Sequence, residues 1–123
     1  MSLQSKSDST RSCASAIEEL RTGMSAGMTS WLRAHLFEHV LPFWLRHSID
    51  EKGGIFTCLD DHGEVLSTDK WLWSQWRAVW VFSRIHNHLD RDPRWLGLAR
   101  HIADFCLRFG LDATPGEWAL LVS

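Results

Sequence analysis

The sequence predicts an all-α fold in which outer and inner helices alternate in a double ring, with short β-hairpins between them. Three observations predict it. Segments near 29–47 and 93–109 are apolar along one stripe only, as outer-layer helices are. The segment between them, about 70–87, is apolar nearly all round, as a helix packed on every side is. Short runs of turn residues join the three, as layered architectures require. One inner helix cannot close a ring. The 123 residues are therefore expected to be the opening part of something several times longer.

Residues 1 to about 13 are rich in Ser, Lys and Asp and read as a mobile tail. A helical turn around Ala14 to Arg21 is weakened by Gly23 and Gly27. The tail is drawn as residues 1–28 and the folded portion as 29–123. The first helix is expected to start at Thr29 or Ser30, either of which can cap it, and to run to about His47. Leu32, Leu36, Val40, Phe43 and His47 share its stripe, and Pro42 predicts a kink or an early break. Gly53 and Gly54 form a turn. Ile55 to Leu59, Asp60 to Gly63 and Glu64 to Ser67 then read as strand, turn and strand of a hairpin. Ser67, Thr68 and Asp69 offer an N-cap to the second helix, about Lys70 to Asn87. Its polar groups Ser74, Gln75 and Arg77 must find partners inside. The third helix begins with Asp92 as cap and Pro93 in its first turn, and stops at Gly110. After a Thr114-Pro115-Gly116 turn, Glu117 to Val122 reads as a strand without a partner, an exposed edge.

The bulk composition excludes several classes. With 45% hydrophobic and 23% charged residues the chain is ordinary for a globular protein. A net charge of -2 gives no footprint for nucleic acid or anionic lipid. No run is long enough to span a bilayer, and Glu18 and Glu19 interrupt any secretory signal. Cys13, Cys58 and Cys106 are odd in number and scattered, which argues against a disulfide framework and for a reducing cytoplasm. Eight Trp and no Tyr is the unusual entry in the composition.

The most informative stretch is KWLWSQWRAVWVFSR, Lys70 to Arg84. Arg77 stands among Trp71, Trp73, Trp76 and Trp80. A guanidinium flanked by indoles on a buried helix is costly unless an anionic or oxygen-rich group meets it. The residues alone leave open a structural salt bridge, a cation–π stack on Trp73 or Trp80, or a ligand contact.

PFWLRHSID, GGIFTCLDDHGEV and KWLWSQWRAVWVFSRIHN resemble the N-terminal region of the N-acylglucosamine 2-epimerase family, which includes renin-binding proteins and is related to cellobiose 2-epimerases. The resemblance covers about residues 31–110. The family pattern K-x-x-W-L-Q-x-R-x-x-W is filled by Lys70, Trp73, Gln75, Arg77 and Trp80, with Ser74 in place of Leu. This resemblance implies an (α/α)6 barrel and a carbohydrate isomerase that moves a proton at C2 of a reducing sugar. It implies that Arg77 binds the oxygens where enediolate charge develops, a catalytic role, and that Trp73, with Trp76 beside it, lines the sugar pocket. A fixed cation in a water-poor cavity stabilises such charge, and an indole is an apolar platform for a sugar ring. No organic cofactor is needed for this chemistry. None of the seven His matches the family's acid–base histidines, which lie on later helices. The chain alone is therefore expected to lack turnover.

The remaining candidates have plainer readings. Trp80, Trp95, Trp44 and Trp31 read as packing. His35, His39 and His47 share a helical face without a fourth ligand, so no metal site is expected. His86 and His101 read as structural and His62 as a solvated turn residue. Asp60-Asp61 is a turn, because the alternate oxygen ligands of a calcium loop are missing. Cys58 has no adjacent base, and Cys106 reads as a small core residue. The expected partner is a small-molecule sugar, with no nucleic acid or membrane. A homodimer, or a non-catalytic module that uses its Trp-rich face for association or carbohydrate binding, is the alternative reading.

Overall fold

The computed structural model describes residues 5–111, 117 and 119–123, with side chains described at 15 and from 17 onward within those ranges. The Thr114-Pro115-Gly116 turn expected from the sequence lies outside them. The chain divides into two units, Met1–Pro42 and Phe43–Ser123.

The first unit is helical. Helix α1 runs over Ser5–His35 and continues through a π-helical segment, Leu36–Val40. The helix expected to begin at Thr29 or Ser30 thus begins far earlier. Gly23 and Gly27 each cost a helix about 1 kcal/mol relative to Ala, but neither forbids it. The π segment lies immediately before Pro42, and the Leu41 amide donates to the Leu36 carbonyl. Pro42 has no N–H to continue the ordinary ladder, so the widened turn absorbs the defect and helix α2 proceeds over Leu41–His47. The helix does not break at Pro42.

In the second unit the expected hairpin is present. Strands β1 (Cys58–Leu59) and β2 (Val65–Ser67) pair antiparallel, with Cys58 opposite Ser67 and Leu59 opposite Val65. Asp60 closes its turn: one carboxylate oxygen accepts from the amides of His62 (2.9 Å) and Glu64 (2.8 Å). Gly63 has φ +89°, and a Cβ there would sit 2.2 Å from the His47 ring, so glycine is required twice over.

The second helix starts later than expected. Lys70–Trp71 form strand β3, and helix α3 occupies Leu72–His88 with extended Trp71 at its start and no side-chain cap. Strand β4, Leu121–Val122, pairs antiparallel with β3, Lys70 opposite Val122 and Trp71 opposite Leu121. The final strand therefore has a partner, contrary to the sequence expectation. The pairing spans about fifty residues, which no local pattern reveals. Helix α4 covers Arg94–Phe109. The Asp92 carboxylate accepts from the Arg94 amide at 2.9 Å, the cap bond the Asp-Pro start predicts.

The core lies between α3 and α4. Leu72, Phe82 and Ile85 meet Trp95, Ala99, Ile102, Phe105 and Cys106, all buried. Phe82 stacks on Trp95 with ring centroids 6.0 Å apart, and the Trp95 indole N–H donates to the Asp90 carboxylate at 2.9 Å. Cys106 is in this core as expected, and burial pushes its thiol up to about 11.

Candidate functional site

Helix α3 is buried on one face only. Leu72, Gln75, Phe82 and Ile85 face α4, while Trp73, Arg77, Trp80 and Arg84 are exposed. This corrects the expectation of a helix covered on every side. On the second face Trp73 and Trp80 stay exposed and Trp76 and Val79 are only half-buried, so the apolar pattern exceeds the burial. Trp80, Trp44 and Trp31 are likewise exposed rather than core packing, and only Trp95 of that set is buried.

Three contacts fix the start of α3. The first is the β3–β4 pairing, extended by the Leu72 amide donating to the Leu120 carbonyl at 3.0 Å. The second is a buried ion pair, Lys70 Nζ to Asp50 Oδ2 at 2.5 Å. The Lys70 ammonium also lies 4.9 Å from the centre of the Phe56 ring and 5.0 Å from that of Phe105, a cation held between two aromatic faces. Burial works to raise the Asp50 carboxyl, but the Lys70 hydrogen bond, the Lys52 amide and the two lysine charges together hold it below its ordinary value. The Asp50 carbonyl meets His101 Nε2 at 2.8 Å, tying α4 to the same point and making His101 structural.

The third contact is Gln75. Its amide pairs with both backbone groups of Ile55: Oε1 accepts from the Ile55 N–H at 2.8 Å and Nε2 donates to the Ile55 carbonyl at 2.9 Å. The backbone can approach this closely because Gly54, at φ +75°, has no side chain. A Cβ there would come 2.8 Å from Gln75 Oε1. Of the three polar groups expected to find internal partners, Gln75 does so fully. Ser74 is half-buried, and Arg77 turns outward.

The predicted site residues are brought together in part. The Arg77 guanidinium lies 5.6 Å from the centre of the Trp73 ring, a cation–π stack on the solvent-facing side. Trp73 is 56% exposed. Trp73 and half-buried Trp76 border an open recess of about 390 Å³ with Leu72, Ala119 and Leu120. Two turns further along, Arg84 repeats the stack over Trp80 at 5.5 Å and its Nη1 reaches His88 Nε2 at 3.0 Å. Arg77 is therefore a cation presented on an indole platform, not one enclosed in a cavity of this chain. Such a face can bind oxygens of a neutral or anionic ligand and cover an apolar ring surface.

Among the described residues no cluster of three or more His, Cys, Asp or Glu could hold a metal ion. The His35 and His39 rings contact one another at 5.3 Å, and His35 stacks on Trp31. No helix among the described residues is long and apolar enough to cross a membrane. The sequence reading missed Asp50 and the reach of Lys70. Its one available signal was Lys70 at the head of the tryptophan motif.

The helix pair with its short antiparallel strand pairs resembles part of the (α/α)6-barrel fold of solved sugar epimerases. A sequence profile of the N-acylglucosamine 2-epimerase (GlcNAc 2-epimerase) family matches residues 54–123, more than half of the chain. The chain is 38% identical over 87 residues to N-acylglucosamine 2-epimerase of Bos taurus, covering 68% of this chain and 21% of that protein. It is 40% identical over 83 residues to the enzyme of the same name from Mus musculus, covering 65% and 20%. Among solved structures it is similar to cellobiose 2-epimerase from Bacillus thermoamylovorans, at 26% identity and a TM-score of 0.69, covering 79% of this chain and 25% of that one. The chain belongs to the N-acylglucosamine 2-epimerase family. It spans about a fifth of the length of the curated relatives it matches.

Proposed function

We propose that this chain supplies the oxygen-binding face of a sugar 2-epimerase or isomerase. The substrate class is an N-acylated hexosamine or a related reducing sugar. In the proposed reaction a base removes the proton from the carbon next to the carbonyl, and the electron pair moves onto the carbonyl oxygen to give an enolate. Reprotonation from the other face inverts C2. Arg77 binds the oxygens and stabilises the charge that develops there, while Trp73 and Trp76 form the wall against the ring. The observation that carries this reading is the Arg77 guanidinium stacked 5.6 Å over Trp73, beside the recess that Trp73 and Trp76 border.

On this reading the proton-transfer groups come from outside these 123 residues, and the chain alone has no turnover. Proton transfer of this type needs no organic cofactor. Residues 29–123 are the portion that contributes to the barrel, and 1–28 are an extension of it. Three scattered cysteines suit a reducing, cytoplasmic setting. The test is exchange of the C2 hydrogen of N-acetylglucosamine, N-acetylmannosamine or cellobiose with deuterium from ²H₂O, followed by NMR. It is run with the complete gene product and with Arg77→Ala in the same background.

The solvent-facing indoles of Trp73 and Trp80, the latter 62% exposed, favour one alternative: a non-catalytic carbohydrate-binding or association module. Saturable sugar-dependent quenching of Trp fluorescence, without exchange in the complete gene product, supports that alternative and rejects the enzyme.

A further inference from the structure

Helix α3 begins without the usual fastening. Trp71 precedes it in an extended conformation and gives its first turn no side-chain cap. Trp73 is the second residue of that turn, and the Arg77 guanidinium leans on the Trp73 ring at 5.6 Å. Helix ends fray readily when their first amides lack a cap. The indole face therefore needs an anchor from outside the helix.

Asp50 has the properties of one. Its amide donates to the Gly54 carbonyl at 3.2 Å, and its carbonyl accepts from the Gly53 amide at 2.9 Å and from His101 Nε2 at 2.8 Å. One carboxylate oxygen accepts from the Lys52 amide at 2.9 Å, which fixes the side chain. The other oxygen takes Lys70 Nζ at 2.5 Å, three residues before Trp73. The Lys70 side chain is 9% exposed, and the Phe56 and Phe105 rings stand 4.9 and 5.0 Å from its ammonium. A buried charge pair adds little net stability over apolar residues of equal volume. What it adds is one distance and one direction, where apolar contacts permit sliding.

We propose that Asp50 is a positioning residue for the reaction. The inference rests on Arg77 acting as the donor to the oxyanion, the function proposed above. Through Lys70, Asp50 sets the first turn of α3, hence Trp73, hence the guanidinium stacked on it. A misplacement of about 1 Å in such a group costs on the order of 10²-fold in rate. The charge that Arg77 meets develops only as the proton leaves the sugar. Loss of the anchor therefore lowers kcat and leaves KM nearly unchanged.

Deuterium exchange at C2 by the complete gene product tests this. Asp50→Asn alone strands a buried ammonium, so it is combined with Lys70→Met, which keeps an unbranched side chain between the two phenyl rings and leaves no buried charge. This double variant is expected to keep the native circular dichroism spectrum, to lower kcat by at least about tenfold, and to hold KM within about threefold of wild type. In an Arg77→Ala background the same two substitutions lower kcat by less than about twofold further, because the group they place is gone. Ile85→Val, which loosens the α3–α4 core at the far end of α3, leaves kcat within about twofold of wild type. A double variant with wild-type kcat, while Arg77→Ala is slow, overturns the proposal and leaves the role of Arg77 standing. An equal fall in both backgrounds, or loss of the native spectrum, also overturns it, because the contact then serves the fold alone. Exchange by Arg77→Ala at the wild-type rate removes the role of Arg77 and this inference together.

Discussion

Replacing Gln75 by Leu removes both hydrogen bonds to Ile55 while keeping the side chain close in volume. Gln75 is fully buried and Ile55 is 8% exposed, so no water can take over the two backbone groups. Each orphaned buried group costs about 1–3 kcal/mol, or about 4 kcal/mol for the pair. Burying an apolar side chain in place of an amide offsets about 1 kcal/mol of that. The expected net loss is about 3 kcal/mol. With a urea dependence of about 1.5 kcal/mol per molar for a unit of this size, the midpoint falls by about 2 M. Urea unfolding followed by Trp fluorescence reads this directly. Gln75→Glu supplies a second reading. Its ionised carboxylate can accept from the Ile55 amide but cannot donate to the carbonyl, whereas the protonated acid does both. Burial raises that carboxyl in the folded state, so folding takes up a proton and stability increases as pH falls from 7 to 5. A midpoint shift below about 0.5 M for Gln75→Leu, which is under 1 kcal/mol, refutes the claim that this amide clamps α3 to the preceding turn.

Other outcomes follow from the same structure. Asp50 has a folded-state carboxyl below its unfolded value, so its contribution is fully present above the unfolded value near 4 and is lost as pH falls through the folded one. Acid unfolding monitored by circular dichroism should show this limb, and Asp50→Asn should flatten it. At neutral pH Asp50→Asn leaves Lys70 buried without its carboxylate and should cost about 3–5 kcal/mol in urea unfolding. Cys58 is exposed and Cys106 fully buried with its thiol raised to about 11. In a Cys13→Ser background a thiol reagent at pH 8 should label Cys58 at once and Cys106 only as the chain unfolds. Rapid labelling of both in the native state contradicts the placement of Cys106 in the α3–α4 core.

The local elements were legible in the sequence because their signals are local. Asp60 and Gly63 wrote the hairpin turn, Asp92-Pro93 wrote the start of α4, and Trp95, Ile102, Phe105 and Cys106 wrote its buried stripe. The family was legible because Lys70, Trp73, Gln75, Arg77 and Trp80 stand in a specific spacing. Contacts that join distant segments were not legible. The β3–β4 pairing, the Lys70–Asp50 ion pair and the Gln75–Ile55 clasp each link residues twenty or more positions apart, and no periodicity reports them. The extent of α1 was missed for a different reason. Its glycines and hydroxyl residues carry a poor intrinsic propensity, and propensity is a weak guide to where a helix begins. The open face of α3 was misjudged because apolar character is not itself burial: Trp73 and Trp80 remain exposed among the described residues.

The account stands on Arg77 meeting the oxygens of a reducing sugar on the indole face of α3. Deuterium exchange at C2, measured by NMR for the complete gene product and for Arg77→Ala, tests it most directly. Loss of one fixed donor to a developing oxyanion typically lowers the catalytic rate about 10²–10³-fold, and a fall of that size with folding intact is the predicted result. Exchange by Arg77→Ala at close to the wild-type rate contradicts it.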